Sequence, residues 1–264
     1  MSQQDRAKLF RDLHTGPALV LPNAWDAASA RLVEHAGAAA VATTSAGVSW
    51  SLGAADGGHL DRAAAVEAVA RVVRAVSVPV TADVEDGYGD LAGTVRAVLA
   101  AGVVGVNVED SAGGRLVDVA EHAARLREVR EVAADAGVDL FVNARIDVYF
   151  FGDRTVETVL RRAEAFLAAG ADGVFVPGVA DPDTIAALAR EIDAPLNVMA
   201  GPGSPSVAEL AALGVARVSV GQGIAEAAYG VALDSARRLL ADEAYPAGAV
   251  DYGLMNGLLT GRAV

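Results

Sequence analysis

A chain of 264 residues with a hydrophobic fraction of 53% has ample material for one large core, and its length suits one (β/α)8 barrel without forcing a second domain. A formal charge of −13, with no basic run, argues against a nucleic-acid partner, because phosphate backbones are held by clustered Lys and Arg. The absence of cysteine excludes disulfides, thiolate nucleophiles and Cys-ligated zinc or iron–sulfur centres, and no run approaches the ~18 apolar residues that span a bilayer. Met1 to Leu13 is charged and polar with no apolar signal core, so the expected location is the cytoplasm.

Along the chain, apolar strand patterns near 18–22, 38–43, 78–83, 103–108, 139–144, 172–176, 195–199 and 215–220 alternate with helical patterns. The helical patterns fall near 26–36, 61–76, 90–101, 118–136, 155–169, 181–192, 206–213 and 223–241. Strict strand–helix alternation predicts parallel strands with helical crossovers, and eight pairs close a TIM barrel; a doubly wound sheet is the alternative. Gly37, Gly102, Gly137, Gly170 and Gly214 each follow an apolar-periodic run and suit helix C-caps, while Asp181-Pro182 and Ser204-Pro205-Ser206 suit helix starts. No linker divides the chain, so residues 1–264 are expected to form a single domain. A tail from about 241, containing Tyr245-Pro246 and Gly248, is not a ninth unit and is expected to pack on a neighbour or across the barrel.

In such a barrel every strand's C-terminal end faces one rim, where catalytic groups gather. Three strand patterns run there into charge: Val78 to Asp86, Val103 to Asp110 and Leu140 to Asp147. Asp83, Glu85 and Glu109 offer hard oxygen ligands, and the scattered histidines form no zinc spacing, so the implied metal is Mg²⁺ or Mn²⁺. Arg145 either binds an anionic substrate or neutralises the acidic rim. Ser45-Ala46-Gly47 is either a plain turn or a loop whose amides approach an anion. Asn197 is either a satisfied core group or a ligand contact, and Gly201 to Ser204 is a weak candidate for a phosphate loop.

The phrases Thr44-Ser45-Ala46-Gly47, Thr81-Ala82-Asp83-Val84-Glu85-Asp86-Gly87-Tyr88-Gly89, Val106-Asn107-Val108-Glu109-Asp110 and Asn143-Ala144-Arg145-Ile146-Asp147 resemble the isocitrate lyase/phosphoenolpyruvate mutase superfamily from Leu21 to about Gly223. That resemblance implies a Mg²⁺-dependent barrel acting on small oxo- or hydroxy-carboxylates through an enolate-like intermediate. It also implies a homotetramer or homodimer in which the last helix is exchanged between subunits. By resemblance, Asp83 is the direct metal ligand, and Glu85 and Glu109 hold the metal or its waters. Ser45, Ala46 and Gly47 bind substrate oxygens, Arg145 and Asn197 contact its carboxylate, and Asp56 stands near the site as a catalytic group.

Three departures leave the branch open. Glu85 stands where the family most often has Asp. The loop Ser111-Ala112-Gly113-Gly114-Arg115-Leu116 lacks the cysteine-bearing signature of the lyase branch and the lysine-bearing signature of the phosphoryl-mutase branch. Its adjacent glycines suggest a mobile lid, with Arg115 the one cation to compensate. The expected activity is C–C bond cleavage or decarboxylation; phosphomutase-type P–C chemistry and a non-catalytic carboxylate-binding barrel are the alternatives. The expected partner is a small anionic carboxylate, with no nucleic acid and no membrane.

Overall fold

The computed structural model describes residues 1–244 and 249–260, so the part of the expected tail that holds Tyr245, Pro246 and Gly248 lies outside the described residues. Its strands are β1 (Leu19–Leu21), β2 (Asn23–Ala24), β3 (Val41–Thr43), β4 (Val80–Asp83), β5 (Gly105–Glu109) and β6 (Ser111–Ala112). They continue as β7 (Arg115–Leu116), β8 (Phe141–Arg145), β9 (Gly173–Val176), β10 (Leu196–Met199) and β11 (Arg217–Ser219). Nine of them form one parallel sheet in the order β1-β11-β10-β9-β8-β5-β4-β3-β2. The two ends of that order, β1 and β2, are the same stretch of chain interrupted at Pro22. Proline has no N–H to give a ladder. One stave therefore pairs with β11 on one side and β3 on the other, and the eight expected staves close into a TIM barrel.

Strand alternation sorts the side chains. Val106, Val108, Val142, Ala144, Val174 and Val198 point outward into the main core with Val98, Leu126 and Phe166 of the surrounding helices. The alternate positions point into the barrel and are unusually polar: Thr81, Asn107, Asn143, Asn197 and Arg217 are all buried there. Gly102 ends the Leu91–Ala101 helix at φ 101°, the left-handed C-cap its position predicts.

The polar N-terminus is a helix, Gln3–Asp12, which the hydropathy pattern does not announce. It plugs the bottom of the barrel: Phe10 meets Phe141 edge-on at 5.7 Å, His14 stacks on Phe141 at 4.0 Å, and Gln3 donates to the carbonyls of Leu99 and Val103. At the other end of the chain, the Gly223–Leu240 helix buries only Ala225. The Tyr252–Thr260 helix folds back on Ala27–His35, where Leu258 is buried and its carbonyl accepts from Arg31 Nε at 2.9 Å. No helix among the described residues is long and apolar enough to cross a membrane.

Candidate active site

A cavity of about 280 Å³ opens at the C-terminal rim, lined by Ser45, Ala46, Asp56, Asp83, Asn107 and Arg145 and walled by Phe150, Phe151 and Phe175. A larger hollow of about 540 Å³ lies between the 12–22 and 33–39 segments, but Asp12 is its only ionisable lining residue. The chemistry belongs to the rim.

Asp83 ends β4 and the chain then turns sharply. Its Oδ1 accepts from the Glu85 amide at 3.1 Å, and Glu85 itself takes the left-handed conformation at φ 50°. Gly87, at φ 95°, lies where a Cβ would stand 2.4 Å from Leu91 Cα, so no larger residue fits. The turn swings Glu85 away from the cavity and buries it. Its Oε2 accepts from the Gly58 amide at 2.8 Å, while its Oε1 is buried with no partner. Burial, then the charges of Asp83 and Asp56, push the Glu85 carboxyl up to about 7. Burial also raises Asp83 and carries Glu109 well above the usual carboxylate range, with Arg145 opposing both shifts.

Arg145, at the end of β8, is the counter-charge. It lies 2.5 Å from Glu109, 3.5 Å from Asp83 and 2.7 Å from Asp147, between the rings of Phe150 and Phe175. Burial works against its charge, but the three carboxylates outweigh burial and hold it protonated. Behind it, Asp147 Oδ2 accepts from Ser111 at 2.6 Å, and the Asp147 amide donates to Asp110. Asp110 is in turn held by Arg162 at 2.5 Å. Asp110 and Asp147, both fully buried, therefore fix the guanidinium without reaching the cavity.

The structure brings Ser45, Ala46, Asp56, Asp83 and Arg145 to one cavity, with Glu85 and Glu109 behind it. Three expectations are corrected. Ser45-Ala46-Gly47 is the first turn of the Ser45–Ser51 helix and not a loop; a Cβ on Gly47 would stand 2.8 Å from Trp25 and Thr44, so that glycine serves close packing. Asn197 does not reach the cavity, because its amide donates to the carbonyls of Val198 and Arg217 and to Ser219 Oγ. Arg115 is exposed on a β6–β7 hairpin whose Gly113-Gly114 turn has both φ values positive, the geometry of a defined two-residue turn. It touches no residue of the cavity, so it is not placed to compensate for the missing lysine or cysteine.

Asn107 stands inside the Val106 to Asp110 phrase, which assigns it no role, and the aromatic wall carries no motif. In a chain only 5% aromatic, the exposed pair Phe150-Phe151 directly after the Arg145–Asp147 strand end was the one available signal.

Residues 10–240 match the family model described as phosphoenolpyruvate phosphomutase. An uncharacterized protein of Mycobacterium tuberculosis is 39% identical over 240 residues, 90% of this chain and 91% of its own length. The 2-methylisocitrate lyase of Bacillus subtilis is 29% identical over 208 residues, covering 74% of this chain and 67% of that one. The solved phosphoenolpyruvate phosphomutase of Streptomyces platensis subsp. rosaceus superposes with a TM-score of 0.82 at 27% identity, covering 89% of this chain and 88% of its own.

Proposed function

This chain belongs to the phosphoenolpyruvate phosphomutase family, and within it we propose a Mg²⁺-dependent lyase that cleaves a C–C bond of, or decarboxylates, a small oxo- or hydroxy-dicarboxylate. The observation that carries the reading is the buried surplus of negative charge at the rim. Asp83, Glu85 and Glu109 stand together, Arg145 pairs with two of them, and Glu85 Oε1 has no partner. Buried carboxylates need a compensating cation or a proton.

No three Asp, Glu or His side chains among the described residues converge as a ready-made metal cage. Mg²⁺ does not require such a cage: it takes one or two carboxylates and fills its remaining positions with water and substrate oxygens. Asp83, which faces the cavity, would hold the ion directly, and Glu85 and Glu109, which lie behind it, would hold its waters. When bound, it supplies a Lewis acid that polarises a substrate oxygen.

The protein's own groups do the rest. Arg145, whose Nη1 and Nε are held by the carboxylates, presents its remaining terminal nitrogen to the substrate's carboxylate, and the Ser45 hydroxyl donates from the lining of the same cavity. Phe150, Phe151 and Phe175 exclude water, which strengthens each of these contacts. As the C–C bond breaks, one fragment leaves as CO₂ or, from a hydroxy acid whose O–H gives up its proton, as a carbonyl compound. The electron pair stays on the α-carbon of the other fragment and delocalises into its adjacent C=O oxygen as an enolate. A proton then returns to carbon. Asp56 lines the cavity and is not engaged by Arg145, so it is the group we assign to that transfer. Support for lyase over mutase chemistry comes from the 2-methylisocitrate lyase relative and from oxaloacetate decarboxylase 1 of Pseudomonas fluorescens, 28% identical over 253 residues.

We also propose a cytoplasmic homo-oligomer. Val231, Leu233, Leu239 and Leu240 of the projecting Gly223–Leu240 helix are 52–89% exposed and point to more than one side of it, apolar area that a second copy enclosing the helix would cover.

The test is turnover of oxaloacetate, substituted malates, phosphonopyruvate and phosphoenolpyruvate with Mg²⁺, with Asp83→Ala as control. Release of a C–C cleavage product, lost on chelation and in the variant, is expected. Turnover confined to phosphonopyruvate and phosphoenolpyruvate would establish the mutase instead, and full activity in excess chelator would remove the metal.

A further inference from the structure

Inside the barrel, directly beneath the candidate site, lies an arginine with no carboxylate partner. Arg217 is 1% exposed, forms no ion pair among the described residues, and has Nε and one terminal nitrogen without partners. Its other terminal nitrogen donates to Asn107 Oδ1 at 3.2 Å. Burial lowers Arg217 to about 9, with Asp83 pulling the other way, so at neutral pH every one of its nitrogens remains a donor.

A guanidinium cannot accept a hydrogen bond. The Asn107 atom facing Arg217 must therefore be the oxygen. The same oxygen accepts from Asn143 Nδ2 at 2.9 Å. Both lone pairs of Oδ1 are taken, and the Asn107 NH₂ is turned the other way. It has no acceptor among the described residues, although Asn107 is only 4% exposed and its side chain lines the rim cavity. In register, Asn107 is the neighbour of Asp83 across the β4–β5 pair.

We infer that Asn107 is a specificity-determining residue: locked by Arg217 and Asn143, its NH₂ donates to an oxygen of the substrate's carboxylate or oxo group beside Asp83. The inference rests on the proposed oxo-acid reading and deepens it. It explains why a chain would keep an unpaired arginine in its core. Arg217 is a positioning residue, acting on the substrate only through the direction it imposes on Asn107.

The experiment compares two probes by calorimetry in Mg²⁺: oxalate, with acceptor oxygens at both ends, and oxamate, in which one oxygen becomes an NH₂ donor. Asn107→Asp keeps an acceptor for Arg217 and Asn143 but replaces the donor with a second acceptor. Its fold should hold, with Tm unchanged or raised by the new pair with Arg217. Oxalate should bind about tenfold or more weakly, the effect of losing a hydrogen bond to a charged group, and the preference for oxalate over oxamate should shrink or invert. Arg217→Met keeps the donor but frees its rotation, so it should narrow the same preference by less. Should Asn107→Asp not fold, the Arg217→Met preference decides alone. An unchanged oxalate-to-oxamate ratio in the folded variants overturns the assignment while leaving the lyase reading intact. No oxalate binding by the unaltered chain overturns both.

Discussion

Replacing Arg145 with methionine keeps an unbranched apolar stem and removes the only cation that, among the described residues, pairs with Asp83 and Glu109. It strands both carboxylates, and the fully buried Asp147 with them. Breaking a buried ion pair from one side costs about 3–5 kcal/mol, because the partner's charge stays desolvated. At ~2–3 °C per kcal/mol for a chain of this size, Tm should fall by roughly 6–15 °C at pH 8.

The sign of the pH dependence is fixed by the direction of the shifts. Asp83 and Glu109 already titrate above their ordinary values through burial, with Arg145 holding them down. Without Arg145 they rise further, so the folded variant binds protons that the unfolded chain has released. Its stability then falls as pH rises above the ordinary carboxylate range. Calorimetric melts at pH 5 and pH 8 should show a smaller deficit at pH 5, and Mg²⁺ should recover more Tm in the variant than in the unaltered chain. A variant whose Tm at pH 8 is unchanged would falsify the idea that Arg145 neutralises the rim.

Two other outcomes follow from groups away from the site. His122 is fully buried against Phe166 with both ring nitrogens unpartnered, and burial, then Arg125 and Arg162, lowers it to about 3 from an ordinary 6.5. Its neutral form is the folded one, so its contribution is complete above the unfolded value and is lost as pH falls through 6.5; His122→Leu should narrow the gap between urea stabilities at pH 8 and pH 5 by about 2 kcal/mol. An identical gap in the variant would mean that the ring is protonated and solvated in the fold. For the projecting helix, light scattering should give a multiple of the 26.7 kDa chain, and Val231→Asp with Leu233→Asp should give a lighter species; a monomeric unaltered chain sinks the oligomer.

The features readable from the chain alone are those that depend on near neighbours. Alternation of apolar strands with 3.6-period helices, Gly102 at a C-cap and charge after β4, β5 and β8 are all local patterns, and a parallel barrel sends every such strand end to one rim. That was enough to send Asp83 and Arg145 to one rim, while Ser45 and Asp56, which line the same cavity, were indicated only by the family resemblance. Direction and partnership were not local. Gly47 looked like an anion loop until Trp25 and Ala225 were seen to close on it, and Asn197 looked like a substrate contact until its three acceptors appeared within the barrel. A polar leader became a plug because Phe10 and His14 find Phe141 more than a hundred residues on. The lock on Asn107 joins residues 110 positions apart. An asparagine's two ends are nearly alike in shape, and only a neighbour that can do nothing but donate decides which of them faces the site.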